Sequence, residues 1–470
     1  MLFQKGYFTQ KQPYTGLRPC VAFVLMISGC MSVFAASQSF AVSQNSSKTS
    51  NAVMQTLNFQ QILLQVEKYQ AQQGIWETQM RIADANLKQS QLRSNPNLTV
   101  QQTGFGSGQD RELEMGISQQ VDVFGVRKTA RQVAQLQHEQ VALNQQLYQA
   151  QMQLAVKAQW AQVLVLQMEQ HVAQAQLKTS QENLNATRLR YQAGSIAQVD
   201  LDRQLMAHIE NQRQAQQAQL NLTIAKQQLA NLWGGDRASF QIDSESDKAL
   251  LQTDDLIRRY EKENLYQKSL QLQQKQQQAQ ITHLKAQAKP TPTVSVGMVR
   301  SQDQGESRVD HRFRVGVEIP LTIFDRQQYP QQALQAKQAF LDQKQQFYRQ
   351  HQQQAIQTAL SELRGLRQQF DLVKDQQVPL SEVVQRKTLL GFQAGKYAIT
   401  DVQQATLQLQ QQRLQKVQLL KSAWQKAIEA ESLALGVDPN LVQSKDALWQ
   451  INQTLWQETD QLPVVKGASE

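Results

Sequence analysis

Tyr191-Gln-Ala-Gly-Ser-Ile-Ala-Gln-Val-Asp200 returns in the second half of the chain as Phe392-Gln-Ala-Gly-Lys-Tyr-Ala-Ile-Thr-Asp401. The match extends outward in the same order. Gly116-Ile117 followed by Val121-Asp-Val-Phe124 becomes Gly316-Val317 followed by Leu321-Thr-Ile-Phe324. Pro96-Asn-Leu-Thr-Val100 becomes Pro292-Thr-Val-Ser-Val296, and Leu232-Trp233-Gly234 becomes Ala434-Leu435-Gly436. One unit is therefore written twice, too few copies for a solenoid.

Each unit reads helix, strand, strand, long helix, turn, shorter helix. The long helices are expected over about 126–192 and 327–392. In the first, Leu136, Leu143, Leu147, Leu154, Ala158, Ala161, Val165, Met168 and Val172 recur at coiled-coil spacings. At 1.5 Å per residue such a helix reaches roughly 100 Å, longer than a compact globule requires. Shorter helices are expected over about 57–93, 196–233, 254–288 and 397–436, so that two end to end match one long one. Gly234-Gly235 ends the second of these, and Asp254-Asp255 suits the start of the third. The first repeat spans 56–235 and the second 254–436. Residues 236–253 are expected to form an equatorial linker, joined by the C-terminal segment 437–470 with a loose tail.

The strands carry a different period. From His311 to Leu321, Phe313, Val315, Val317, Ile319 and Leu321 alternate with Arg312, Arg314, Gly316 and Glu318. Leu113, Met115 and Ile117 alternate with Glu112, Glu114 and Ser118, and Val294, Val296 and Met298 with Thr293, Ser295 and Gly297; Leu98 and Val100 make a weaker fourth. Strands are thus expected at about 97–104, 112–123, 293–300 and 311–323. Short segments with one apolar and one polar face suit a membrane β-barrel, while a half-buried sheet in a soluble protein is the ordinary alternative. Four strands cannot close a barrel, and an open edge is not tolerated in lipid. Three chains would supply twelve strands, so a homotrimer with outer-membrane lipid around its sheet follows if the apolar face meets lipid. Glu112, Glu114, Arg312, Arg314 and Glu318 are then the candidates for the barrel lumen.

Composition agrees with long helices. The chain of 470 residues has only 20 Gly and 10 Pro and is rich in Gln, Ala and Leu. At the N-terminus Lys5, Lys11 and Arg18 precede the apolar run Cys20–Gly29, which reads as a signal peptide over 1–35. Two exits fit: cleavage after Val33-Phe34-Ala35, or lipidation of Cys30, since Ile27-Ser28-Gly29-Cys30 resembles a bacterial lipobox. A Ser/Asn-rich leash over 36–55 follows. Removing the leader takes three positive charges from the formal +9 and leaves +6. That excess is spread thinly, without a basic block, so nucleic acid is not an expected partner. Both cysteines, Cys20 and Cys30, lie in the leader, which excludes a disulfide framework in the folded part.

Catalytic, metal and cofactor readings find no support in the sequence, and an enzyme is not expected. His138, His171, His208, His283, His311 and His351 are scattered without an HxxxH pair, and Gly104-Phe-Gly-Ser-Gly108 lacks the Lys-Ser/Thr of a phosphate loop.

Taken together and in register, these motifs resemble the TolC-type outer-membrane factors over nearly all of the expected mature chain. The two aromatic-x-x-Gly…Asp runs are similar to that family's helix-turn-helix tips. Val317-Glu-Ile-Pro-Leu-Thr-Ile-Phe-Asp-Arg326 resembles the strand-to-helix junction of its cobalt–zinc–cadmium efflux branch. The resemblance implies a mainly α fold with a small membrane β part: a trimeric twelve-stranded barrel continued by a periplasmic α-helical barrel. It also implies a periplasmic adaptor (a membrane fusion protein) and an inner-membrane transporter of the RND type as partners, with divalent heavy-metal ions as the cargo. Drug efflux or type I protein secretion through a duct of the same shape stays open, as does a periplasmic coiled-coil adaptor or scaffold.

Partner contact or gating is expected at the two tips, at Arg190, Gly194, Ser195, Ile196, Val199 and Asp200 in one and Gly395, Lys396, Tyr397, Ile399 and Asp401 in the other. Asp200 and Asp401 also suit simple capping of the helix that follows. Pro379, without a counterpart in the first repeat, is expected to kink the second long helix.

Overall fold

The computed structural model describes residues 55–72, 74–105, 110–235, 240–242, 257–258, 264–303 and 308–460. The expected leader with Cys30, the leash before residue 55, most of the linker and the tail beyond 460 lie outside the described residues.

A short strand β1 (Gln55–Leu57) opens the first repeat. It is followed by α1 (Phe59–Ala71), α2 (Ile75–Gln89), β2 (Asn97–Thr103), β3 (Arg111–Gln120), α3 (Val126–Gln192) and α4 (Gln198–Asn231). After β4 (Phe240–Ile242), the second repeat runs α5 (Leu265–Gln287), β5 (Thr293–Gln302), β6 (Asp310–Glu318) and α6 (Gln328–Leu372). It continues through α7 (Val378–Gln393) and α8 (Ile399–Leu435) to α9 (Pro439–Gln443) and α10 (Ala447–Asp460).

The helix expected over 57–93 is two helices. Asn58 and Gln61 exchange side-chain bonds with each other's backbone N–H at 2.9 and 3.0 Å, a capping box that starts α1. Gly74, at φ +64°, then takes the left-handed conformation that separates α1 from α2. In the second repeat α5 begins at Leu265 rather than near 254, because the Asn264 side chain accepts the Gln267 N–H at 2.8 Å. Asp254-Asp255 lies outside the described residues.

The two long helices differ. α3 runs 67 residues without a break. Its counterpart is interrupted by one π-helical turn, Val373–Gln377, in which the Val378 N–H reaches the Val373 carbonyl five residues back. Pro379 sits in the first turn of α7, just past that turn. Its absent N–H therefore falls where the regular hydrogen-bond ladder has already changed step.

The sheet has the order β2-β3-β5-β6, antiparallel throughout, with the two repeats meeting at β3 and β5. The second strand of each hairpin stops earlier than expected, at Gln120 and Glu318. In the second repeat Pro320 can donate no ladder bond. Both repeats then close a tight turn, Val123 N–H to Val121 O at 3.1 Å and Ile323 N–H to Leu321 O at 3.0 Å. The left-handed residues Gly125 and Gln327 lead into α3 and α6.

The main core sits midway along α3. Val156, Trp160, Val163 and Leu164 pack with Leu420, Trp424, Ala427 and Ile428 of α8, Leu222 and Leu229 of α4, and Ile62 and Val66 of α1. The parallel pair β1–β4 and the C-terminal helix join this core through Leu57, Phe240, Ile242, Ile451 and Leu455. Trp160 and Trp424 meet edge to face, 5.4 Å between centroids. Beside them lies an ion pair: Lys157 Nζ is 2.5 and 2.7 Å from the two carboxylate oxygens of Glu431, whose side chain is 2 % exposed.

Toward the tips the packing changes character. α3 buries Gln176, Ser180, Asn183 and Thr187 on one face. The Asn183 amide donates to Thr406 Oγ1 at 3.0 Å, and Gln385 Nε2 donates to Asn183 Oδ1 at 3.4 Å. The apolar core thus gives way to a seam of amides and hydroxyls one helical face wide.

Candidate functional site

Two regions hold the expected functional residues: the faces of the four-stranded sheet and the two helix-turn-helix tips.

The register sorts the strand residues without ambiguity. Leu98, Val100, Met115, Ile117, Val294, Val296, Met298, Phe313, Val315 and Val317 fall on one face. Glu112, Glu114, Arg312, Arg314 and Glu318, the lumen candidates, share the opposite face with Thr99, Gly116, Ser295 and Gly297. The apolar face is the more exposed one, with Val315 at 74 %, whereas Val299 and Ser301 on the polar face are buried. A soluble sheet would show the reverse.

The polar face is tied together across the strands. Arg314 spans β5 to pair with Glu114 at 2.7 Å, and Arg312 donates to Ser301 Oγ at 2.9 Å. Gly116 and Gly297 are opposite one another in the register directly beneath that crossing. A Cβ on Gly297 would stand 2.8 Å from the Met115 carbonyl oxygen, so the close strand approach requires glycine there.

At the tips, both turns use one hydrogen-bond pattern. Ser195 N–H bonds to Arg190 O at 2.9 Å and Lys396 N–H to Gly391 O at 2.8 Å, around Gly194 (φ +69°) and Gly395 (φ +77°). The two Asp residues then diverge. Asp401 Oδ2 accepts the Ala398 N–H at 2.9 Å, a capping bond, whereas Asp200 reaches the Arg203 guanidinium at 3.4 Å.

Ser195, Val199, Lys396 and Tyr397 are exposed and Ile196 is half-buried. Ile399 is not exposed. It is buried with Phe392, Val402, Leu389 and Ala186, because it faces back into the cluster that holds the two tips together. Arg190 also turns inward: Nη1 donates to the Phe392 carbonyl at 2.9 Å and the guanidinium lies 4.8 Å from that ring's centroid. It therefore bridges the first tip to the second within one chain. The exposed Tyr397 ring lies against Gly391, where any Cβ would overlap it.

Several of these features were missed in the sequence. The sequence marks Arg190 as a tip residue and Phe392 as the repeat's aromatic residue, without showing that they pair. The pair Lys157–Glu431 had half a signal, since Lys157 is a single charge inside an apolar run while Glu431 follows Glu429 and Lys426 closely. Three histidines stand apart from one another: His138 lies 2.9 Å from Asp84, His208 3.0 Å from Ser180 and His283 2.9 Å from Thr129. Among the described residues no helix is long and apolar enough to cross a membrane.

Similar architectures exist among solved structures. The outer-membrane protein VceC from Vibrio cholerae superposes with a TM-score of 0.60 at 14% identity, covering 81% of this chain and 96% of that one. CusC, described for its folding and transmembrane channel formation, gives 0.62 at 14% identity, covering 82% and 96%. The open state of the MtrE outer-membrane channel of Neisseria gonorrhoeae gives 0.56 at 15% identity, covering 83% and 90%. No protein-family model and no curated protein matches the sequence. At these identities the likeness establishes the fold, a TolC-like outer-membrane channel architecture.

Proposed function

We propose that the chain is the outer-membrane channel subunit of a tripartite efflux pump, a passive duct from the periplasm to the exterior. The observation that carries this is the sheet, which exposes its apolar face and ties its charges together on the other. In water that arrangement exposes a row of large apolar side chains; in lipid it is the stable one. The free edges of β2 and β6 leave ladder groups unpaired within one chain, and a bilayer does not tolerate that. Three copies joined edge to edge give a closed twelve-stranded barrel, with Glu112, Glu114, Arg312, Arg314 and Glu318 around a wetted lumen. The similar architectures described above support this reading.

The test is direct. Full-length protein extracted from membranes in detergent should have the mass of a trimer and should conduct ions across a planar bilayer. A monomer that needs no detergent and conducts nothing overturns the duct.

Docking on a periplasmic adaptor is placed at the tips, at Ser195, Ile196, Val199, Lys396 and Tyr397, with an RND-type transporter beyond it. Lys396→Glu and Ser195→Asp should weaken adaptor crosslinking in trimers that still assemble; unchanged crosslinking overturns that placement. The π turn ahead of Pro379 makes the second hairpin the more compliant one, and equal tip mobility in Pro379→Ala and wild type argues against it. Divalent metal ions are the proposed cargo, supported by the resemblance of residues 317–326 to the cobalt–zinc–cadmium efflux branch. A strain lacking the protein should be more sensitive to zinc, cobalt and cadmium. Unchanged metal sensitivity with increased drug sensitivity assigns the duct to drugs instead.

A further inference from the structure

The junction between sheet and helices carries a charge pattern that a duct does not require. Six exposed basic side chains gather there in sequence: Arg93 in the α2–β2 link, Arg127 and Lys128 in the first turn of α3, Lys285 and Lys289 at the end of α5, and Arg326 ahead of α6. None of them forms an ion pair among the described residues. The two acids of the same turns, Asp122 and Asp325, are engaged by the backbone. Asp122 accepts the Val126 and Arg127 N–H groups at 2.8 and 2.9 Å, and Asp325 the Gln327 N–H at 2.8 Å. Basic residues in the first turn of α3, with no acid among them, stand against the helix dipole and cost local stability.

The other end of the sheet is different. Beside the hairpin tips Arg111, Arg300 and Arg308 are interspersed with Asp110, Asp303 and Asp310, so the charges balance. The basic excess is therefore confined to the helix end.

Next to it the apolar face of the sheet runs out in Val123, Leu321, Ile323 and Phe324, with Leu321 77 % and Phe324 90 % exposed. Lys289 Nζ lies 5.1 Å from the centroid of the Phe124 ring. An aromatic and aliphatic band bordered by long cationic side chains is the pattern of a protein at the edge of a bilayer, where the stems stay in hydrocarbon and the charges reach phosphate. Charge complementarity selects an anionic headgroup over a zwitterionic one.

We infer that this collar binds the anionic headgroups of the membrane leaflet on the helix side, fixing how deep the sheet sits in the bilayer. The inference rests on the duct reading above, because it needs the sheet to lie in lipid. Each basic side chain near an anionic surface is worth roughly fivefold in binding. Screening between neighbours makes a smaller total realistic, on the order of tenfold for three residues.

The experiment reconstitutes the detergent-purified full-length protein into vesicles of phosphatidylethanolamine, with or without phosphatidylglycerol, and measures the fraction that floats with lipid and resists protease at the strands. The wild type is expected to insert more readily when phosphatidylglycerol is present, and the preference should fall with added salt. The triple variant Arg127→Gln, Lys128→Gln, Lys289→Gln should lose about tenfold of that preference while inserting normally into the zwitterionic vesicles. The control Arg111→Gln with Arg308→Gln, at the opposite end of the sheet, should keep it. Equal insertion of the wild type into both lipids, or equal loss in the control, overturns the collar and leaves the duct standing. Failure of the wild type to insert into either lipid overturns the duct and the collar with it.

Discussion

Replacing Arg190 with Gln should loosen the contact between the two tips of each chain. The side chain makes one charge-assisted hydrogen bond to the Phe392 carbonyl at 2.9 Å and stacks over the same ring at 4.8 Å. A hydrogen bond from a charged group contributes about 1.5–3 kcal/mol when desolvated. Arg190 is only half-buried, so about 1 kcal/mol is the appropriate share, and the ring contact adds about 0.5–1 kcal/mol. Tip separation should therefore become easier by about 1–2 kcal/mol per chain, a shift of roughly 5- to 30-fold in a two-state equilibrium. Single-channel recordings in planar bilayers measure it as shorter closed dwell times or a higher open fraction. Arg190→Lys keeps the cation over the ring and loses the planar fork, so it should fall between wild type and Arg190→Gln. Identical dwell times in all three proteins would refute the assignment of Arg190 as a latch.

Other outcomes follow from the packing. Glu431→Ala leaves the Lys157 ammonium without its partner in the core and should destabilise by about 3–5 kcal/mol, whereas Lys157→Met with Glu431→Leu should be near neutral; melting temperatures in detergent decide it. Gly297→Ala puts a methyl 2.8 Å from the Met115 carbonyl oxygen and should cost about 1–3 kcal/mol, read as reduced heat resistance of the assembled sheet. Burial holds the His283 imidazole below its ordinary pKa, partly opposed by a backbone hydrogen bond at Val126. The neutral ring is the folded form, so its stability is fully present above the unfolded value and lost as pH falls through the lower folded one. Melting temperature should drop on acidification below about pH 6.5, and His283→Gln should flatten that part of the curve.

The sequence displayed what repeats and what alternates. Period two in Phe313–Leu321 and coiled-coil spacing from Leu136 to Val172 are local properties, and the paired turns at Gly194 and Gly395 follow from a residue type that tolerates positive φ. Gly74 was visible as a residue, yet its role as a helix break competed with strong apolar periodicity on both sides. The π turn before Pro379 was hidden for another reason. Proline announces a lost hydrogen bond, but where the ladder adjusts depends on the helices packed around it. Arg190 over Phe392, Lys157 with Glu431, and the strand pair β1–β4 join distant parts of the chain, so no single window of sequence contains them. Ile399 is buried although it stands at a tip, because its cluster partners Phe392, Leu389 and Ala186 come from other parts of the chain.

The polar seam that runs from Gln176 through Asn183 and Thr187 to Arg190 has a calorimetric consequence. Separating the helices there exposes amides and hydroxyls, which water hydrates with a small negative change in heat capacity. Separating them at Trp160 and Trp424 would expose apolar surface and raise the heat capacity sharply. Motion confined to that seam, with the Phe392, Ile399 and Val402 cluster still packed, should therefore have an enthalpy nearly constant with temperature. An opening that reached the middle of the helices would show itself as a curved van 't Hoff plot.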